Sequence, residues 1–235
     1  MTHDDYTAIQ AVNFSRLKKL AASPRHYRVN HNRDTASRVV LRAMHAAVLE
    51  PAAFLRDFAV CEVTRNHTHK AYQAWLAEHP GAHALTVSEH AEVLAVRDAV
   101  LAHPEAARLL DGCATEMTMT WDEDGTPCKG RLDALGAGRI IDLKGYGTTD
   151  QREVSRAIAR GWHHVQAAHY VAGARAQGLA VDRYYILTYE TDPPYDVAVY
   201  DITPWLGIGE RVRQEWLATL RLCQRTEQWP GRCPG

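Results

Sequence analysis

The sequence predicts an α/β fold in which a mixed β-sheet is flanked by helices and preceded by a mainly helical N-terminal region. Three observations predict it. Apolar residues recur at helical spacing through residues 1–110, the pattern switches to alternation between Thr115 and Lys144, and helices return afterwards around two β-rich segments. No Pro/Gly/Ser-rich linker or repeat divides the 235 residues. They read as one domain, with residues 111–235 supplying the sheet and its flanking helices.

Taken in order, Asn13 to Ala22 puts Phe14, Leu17 and Leu20 at helical spacing, with Asn13 as cap. Ser23-Pro24 starts a new segment, and Pro24 suits a first helical position. Ala36 to Leu49 is an amphipathic helix carrying Met44 and Val48, and it stops before Pro51. Ser88 to Ala102 is a further helix, capped by Ser88 and ended before Pro104. Thr115 to Trp121 then alternates as a strand, and Asp122-Glu123-Asp124-Gly125 turns the chain. Cys128 to Leu135 and Arg139 to Lys144 are strands joined by the tight turn Gly136-Ala137-Gly138, which completes a three-strand meander. Thr149 or Asp150 caps a helix running to Arg160, and Trp162 to Gln177 is another, closed by Gly178. Tyr184 to Tyr189 reads as a central strand, Val197 to Tyr200 as a further one, and Pro204 to Glu227 as a long closing helix.

Composition removes several classes of function. No apolar run approaches the length needed to cross a bilayer, and MTHDDYTAIQ has no apolar signal core, so a cytoplasmic protein without membrane contact is expected. Five cysteines (Cys61, Cys113, Cys128, Cys223, Cys233) make an odd set with no CxxC pair, which argues against disulfides, zinc and iron–sulfur clusters. The net charge of -1 gives no global support for nucleic-acid binding. Its distribution says more. Between Asn13 and Leu49 stand Arg16, Lys18, Lys19, Arg25, Arg28, Arg33, Arg38 and Arg42 against the single acid Asp34. Such a segment is either a phosphate-contacting wall or a set of solvated helix faces.

The chemistry concentrates in GRLDALGAGRIIDLK, Gly130 to Lys144. Asp142 and Lys144 stand two apart on one strand, so both point to one face, and the hairpin brings Asp133 across from them at a strand end. Two converging carboxylates suit a hard cation, Mg²⁺ or Mn²⁺, and the Leu143 carbonyl is a further candidate ligand. A lysine beside them can orient water and balance charge on a phosphate. A lone D-x-K is weak evidence, since an Asp–Lys pair at a strand end is usually a solvated salt bridge. Ile140-Ile141, which bury the strand, and the open loop at Gly145 and Gly147 strengthen it.

Five ordered elements resemble the PD-(D/E)XK nuclease superfamily, in the branch of the RecE (exonuclease VIII) nuclease domain, with λ-exonuclease as a more distant relative. They are Asn13–Lys18 with Ser23–Tyr27, Ala43–Pro51, Glu116–Trp121 with Cys128–Asp133, Asp142-Leu143-Lys144, and Val165–Tyr170. The resemblance implies a restriction-endonuclease-like core. It implies metal ligation by His45, Asp133 and Asp142, catalysis by Lys144, and a site lined by Gln166 and Tyr170, with Glu116 as an accessory acid. Gln166 and Tyr170 also share a helix face by their i, i+4 spacing. Arg131, Lys129, Arg25 and Arg28 are candidate nucleic-acid contacts. Leu41 and Gly145 depart from the pattern, standing where the family usually has glycine and threonine. The implied activity is a Mg²⁺-dependent, 5′-3′ DNA exonuclease acting on double-stranded ends in phage recombination or repair. A single-strand annealing protein and a ring-shaped homo-oligomer are the implied partners. An endonuclease on the same core, a non-catalytic DNA-binding protein and a metal enzyme acting on a small molecule are the competing expectations.

Overall fold

The computed structural model describes residues 3–29 and 36–232. Arg33 and Asp34 of the basic segment, and Cys233, lie outside the described residues.

Short helices open the chain: α1 (His3–Ala8), α2 (Phe14–Leu17) and α3 (Pro24–Arg28). Asn13 caps α2 as expected, accepting from the Arg16 N–H at 2.9 Å. The helix expected to reach Ala22 tightens after one turn into a 3₁₀ segment, Lys18–Ala21. Helix α4 (Ala36–Leu49) ends where Pro51 forbids continuation, and Pro51 then opens α5 (Pro51–Asp57). Between α5 and the next long helix lies a satellite that the sequence did not announce. Strand β1 (Phe58–Val60), helix α6 (Lys70–Glu78) and strand β2 (His83–Leu85) enclose Cys61, Tyr72, Trp75 and Ala84. Helix α7 (Val87–Ala102) is capped by Thr86 rather than Ser88, because Thr86 and Glu89 form a reciprocal capping box. Helix α8 (Pro104–Leu110) follows.

The meander is β3 (Ala114–Glu123), β4 (Thr126–Gly136) and β5 (Gly138–Tyr146), each longer than expected. Asp150 caps α9 (Gln151–Gly161), and α10 (His163–Ala176) follows after Trp162, whose φ of 58 turns the chain between them. The chain closes with β6 (Val181–Glu190), β7 (Val197–Asp201), a 3₁₀ turn and α11 (Leu206–Thr226). The main sheet has the order β3-β4-β5-β6-β7, antiparallel except for the parallel pair β5–β6. This is the mixed sheet expected.

Alternation along β5 builds two cores. Ile140 faces a core with Phe14, Leu17, Ile158, Val165 and Leu217, from α2, α9, α10 and α11. Ile141 and Leu143 face Met44, Ala47, Val93, Val96 and Leu109, from α4, α7 and α8. Burying each such side chain contributes about 1.5–3 kcal/mol, so both faces of the central strands are firmly held. Helix α11 crosses α10 so closely that a Cβ at Gly209 would lie 2.0 Å from the His164 carbonyl oxygen. Trp162 packs edge-on against Trp216 at 5.2 Å, against the core.

Two placements correct the sequence reading. Asp133 does not end a strand, and Asp142 is not at a strand exit; both are mid-strand, and Asp142 is 1 % exposed. What opens there is the sheet. The β4–β5 ladder stops at Ala134–Ile141, whereas β5–β6 pairing continues to Tyr146–Glu190. The strands therefore fork at the pair that would join Asp133 to Asp142.

Candidate active site

The fork converts a lost ladder bond into a carboxylate contact. The Leu143 N–H donates to Asp133 Oδ2 at 2.7 Å, so the amide is satisfied by a side chain instead of a β4 carbonyl. From the neighbouring position of β5, Asp142 Oδ2 meets Lys144 Nζ at 2.6 Å. Asp142 Oδ1 accepts from Gln166 Nε2 at 3.2 Å, and the same amide group also donates to the Tyr170 hydroxyl at 3.2 Å. The i, i+4 pair on α10 thus reaches the strand dyad. A Cβ at Gly130 would lie 3.0 Å from the Tyr170 ring, so glycine there lets α10 settle on β4.

His45 and Glu116 complete the cluster from the other side. His45 Nδ1 is 3.9 Å from Asp133 Oδ2. One donor atom each from His45, Glu116 and Asp133 lies within 4.8 Å of the others. Glu116 adopts φ 52, a left-handed backbone unusual for a non-glycine residue inside a strand. Such strain persists only where the surroundings enforce it, and it is concentrated at functional sites. Arg131 pairs with Glu116 and approaches Glu50 at 3.7 Å.

Electrostatics follow from this crowding. Burial pushes the carboxyls of Asp133 and Asp142 above their ordinary range, while Lys144 opposes the rise at both. Burial, then Asp133, pushes Glu116 up to about 7. Burial and the Lys144 ammonium pull His45 down to about 4, so its ring is neutral at pH 7 and offers a lone pair. Burial would lower Lys144, but Asp142 and Asp133 outweigh it and raise it, so it stays cationic. The carboxylates of Glu116 and Asp133 and the neutral imidazole of His45 form a donor set that fits a hard divalent cation.

Most predicted site residues converge here: His45, Glu116, Arg131, Asp133, Asp142, Leu143, Lys144, Gln166 and Tyr170. Leu143 enters through its N–H. Lys129, expected to contact nucleic acid, is 5 % exposed, and its ammonium is held by the carbonyls of Tyr6 and Ile9 at 2.6 and 2.9 Å. It anchors the N-terminal segment to β4. Arg25 lies beside the C-terminal segment, its N–H donating to the Pro230 carbonyl. The two departures from the family pattern are accommodated. Leu41 points outward at 37 % exposure, and a Cβ at Gly145 would lie 3.0 Å from the Tyr189 ring, which fills that space.

One further site residue escaped sequence reasoning. His163 Nδ1 lies 3.0 Å from Gln166 Oε1, and it is the i−3 neighbour that fixes which end of the amide faces Asp142. Its spacing from Gln166 was the available signal. Lys18 has its pKa lowered by burial and then by the Lys144 charge, which places it on the same side of the site.

A forked mixed sheet carrying Asp, then Asp-x-Lys, defines a PDDEXK-like fold. The chain belongs to the family described as PDDEXK-like domain of unknown function (DUF3799), whose model matches residues 13–235. Among solved structures it is similar to a Eubacterium rectale protein described as a candidate exonuclease. The identity is 14%, with 99% of this chain and 90% of that one covered and a TM-score of 0.69. That likeness is one of fold. SSO0001 also matches, at 13% identity over 79% of this chain and 87% of that one, but its TM-score of 0.32 carries no argument. Among curated proteins, none matches the chain in sequence. No helix of the described residues is long and apolar enough to cross a membrane.

Proposed function

We propose that the protein is a divalent-metal-dependent deoxyribonuclease that hydrolyses phosphodiester bonds from duplex DNA ends. The observation that carries this reading is the fork itself, where Asp133 and Asp142 hold opposed positions on the diverging strands and Lys144 lies 2.6 Å from Asp142. Asp133, Asp142, His45 and Glu116, with the Leu143 carbonyl, would hold Mg²⁺ or Mn²⁺. When bound, the cation supplies Lewis-acid polarisation and a lower pKa for attacking water.

The chain's own groups do the rest. Lys144 remains protonated, so it donates: it orients the attacking water and offsets negative charge developing on the phosphate. Gln166, held by His163, fixes Asp142 from the opposite side. Arg131, paired with Glu116, presents a guanidinium at the rim for a phosphate oxygen. The exonuclease mode draws support from the described activity of the Eubacterium rectale protein and from the RecE-like motif order. A 5′-3′ direction, a role in phage recombination, a single-strand annealing partner and a ring-shaped homo-oligomer belong to the same proposal.

The test compares linear and covalently closed circular duplex DNA of one sequence, with Mg²⁺ or with EDTA. Mg²⁺-dependent loss of linear DNA alone is expected. Cleavage of both forms would replace the exonuclease by an endonuclease. Binding without cleavage of either would leave a non-catalytic DNA-binding protein.

A further inference from the structure

One groove of about 1190 Å³ runs beside the fork. This exceeds the roughly 300–1,000 Å³ of small-molecule pockets. Arg16, Lys19, Arg28, Arg38, Arg42 and Arg131 line it, and among the described residues no aspartate or glutamate does. In a chain of net charge -1 that segregation marks a track for a polyanion. One part of the lining is Tyr170, whose hydroxyl meets the Gln166 amide at Asp142. Another is Arg131, the partner of Glu116. The groove therefore leads to both sides of the site.

Its wall is more than charged. Tyr27 and Trp229 stack at 5.8 Å and 8°. The exposed Arg16 guanidinium lies 4.8 Å over the Tyr27 ring, and the exposed Arg28 guanidinium 5.7 Å from the Trp229 ring. The rings pre-order two arginines, which keeps them extended in the groove and reduces the entropy lost on binding. A guanidinium backed by an aromatic ring offers a flat outer face for a base and N–H edges for phosphate. Duplex DNA hides its base faces within the helical stack, so this wall favours unpaired bases.

We infer that this groove binds a single DNA strand and delivers its backbone to the fork. The inference deepens the proposed nuclease reading and rests on it for the choice of DNA over RNA and for what happens at the fork.

The experiment measures fluorescence anisotropy of short labelled oligodeoxynucleotides in EDTA. The probes are a single strand, its blunt duplex and the ribonucleotide version. Wild-type protein is expected to bind the DNA strand roughly tenfold tighter than the duplex. Arg16→Ala combined with Arg28→Ala is expected to weaken strand binding at least tenfold. It should also cut the log–log salt slope by about 0.7 for each phosphate that no longer meets an arginine. Should that variant fail to fold, photocrosslinking of an iodouracil-bearing strand to wild-type protein decides, with an adduct expected at Trp229. Equal or tighter binding of duplex or RNA, or adducts mapping away from the groove, overturns the inference. The two readings fail separately. Strand binding in EDTA without any Mg²⁺-dependent hydrolysis would remove the nuclease and keep the groove. Hydrolysis without strand preference would remove the groove alone.

Discussion

The molecule buries two networks of charge, and they are built to opposite specifications. Around Arg213 every bond closes. The guanidinium, 1 % exposed, bonds both oxygens of Glu123 and both oxygens of Glu210 at 2.6–2.8 Å, and Gln214 donates to both acids. Although burial raises it, the bonds from Arg213 and its neighbours hold Glu123 down at about 2. At the fork the same kinds of residue are left in tension. Burial raises Asp133, burial and like charge raise Asp142 and Glu116, and burial lowers His45. The first network satisfies its charges and ties α11 to β3. The second keeps acids crowded where a cation would relieve them. The direction of the shifts, more than the presence of buried charge, separates a structural cluster from a candidate catalytic one.

That contrast can be broken in four places. Lys144→Ala is expected to lower Mg²⁺-dependent hydrolysis of linear duplex roughly 10²–10³-fold, about 2.7–4 kcal/mol of barrier, measured per folded molecule because Asp142 also loses its buried partner. Comparable activity would show that the fork is not catalytic. Arg213→Met acts on stability alone. It strands Glu123, whereas the half-exposed Glu210 stays solvated, so unfolding free energy should fall by about 3 kcal/mol in a urea titration, because removing one buried partner leaves charge uncompensated. Adding Mg²⁺ at a hundredfold excess over its Kd should stabilise the wild type by about 2.7 kcal/mol. Asp133→Asn or EDTA should abolish that gain in a thermal scan, and an unchanged Mg²⁺ effect in the variant would move the ion elsewhere. Glu123→Gln should lose about 2 kcal/mol at pH 7, the scale of a charge-assisted bond. The sign follows from the depressed pKa. Glu123 stabilises fully above its unfolded value near 4.3, and the contribution is lost as pH falls toward about 2. The variant should therefore show a flatter acid limb between about pH 5 and 2, measured by circular dichroism.

The contrast also explains what the sequence disclosed. The meander was legible because alternation over Thr115–Lys144 is long enough to leave a period. Strands β1 and β2, of three residues each, are too short to leave one. The Asp133, Asp142 and Lys144 constellation was legible from spacing joined to ordered motifs. The fork was not, because a ladder that stops depends on which backbone groups find partners. Lys129 read as a nucleic-acid contact, and only the fold brings the Tyr6 and Ile9 carbonyls to it. Arg213 and Glu210 drew no reading beyond their place in the closing helix, for the same reason. The Thr86 cap, by contrast, was there to be read in Thr86-x-x-Glu89.

The bond from the Leu143 amide to Asp133 gives the site a built-in spectroscopic reporter. An amide proton held by a carboxylate at 2.7 Å senses the charge on that carboxylate directly. In a nitrogen-15 correlation spectrum, the single Leu143 cross-peak would follow the ionisation of Asp133 and the arrival of a cation. The state of the centre becomes visible without substrate, turnover or any label on DNA.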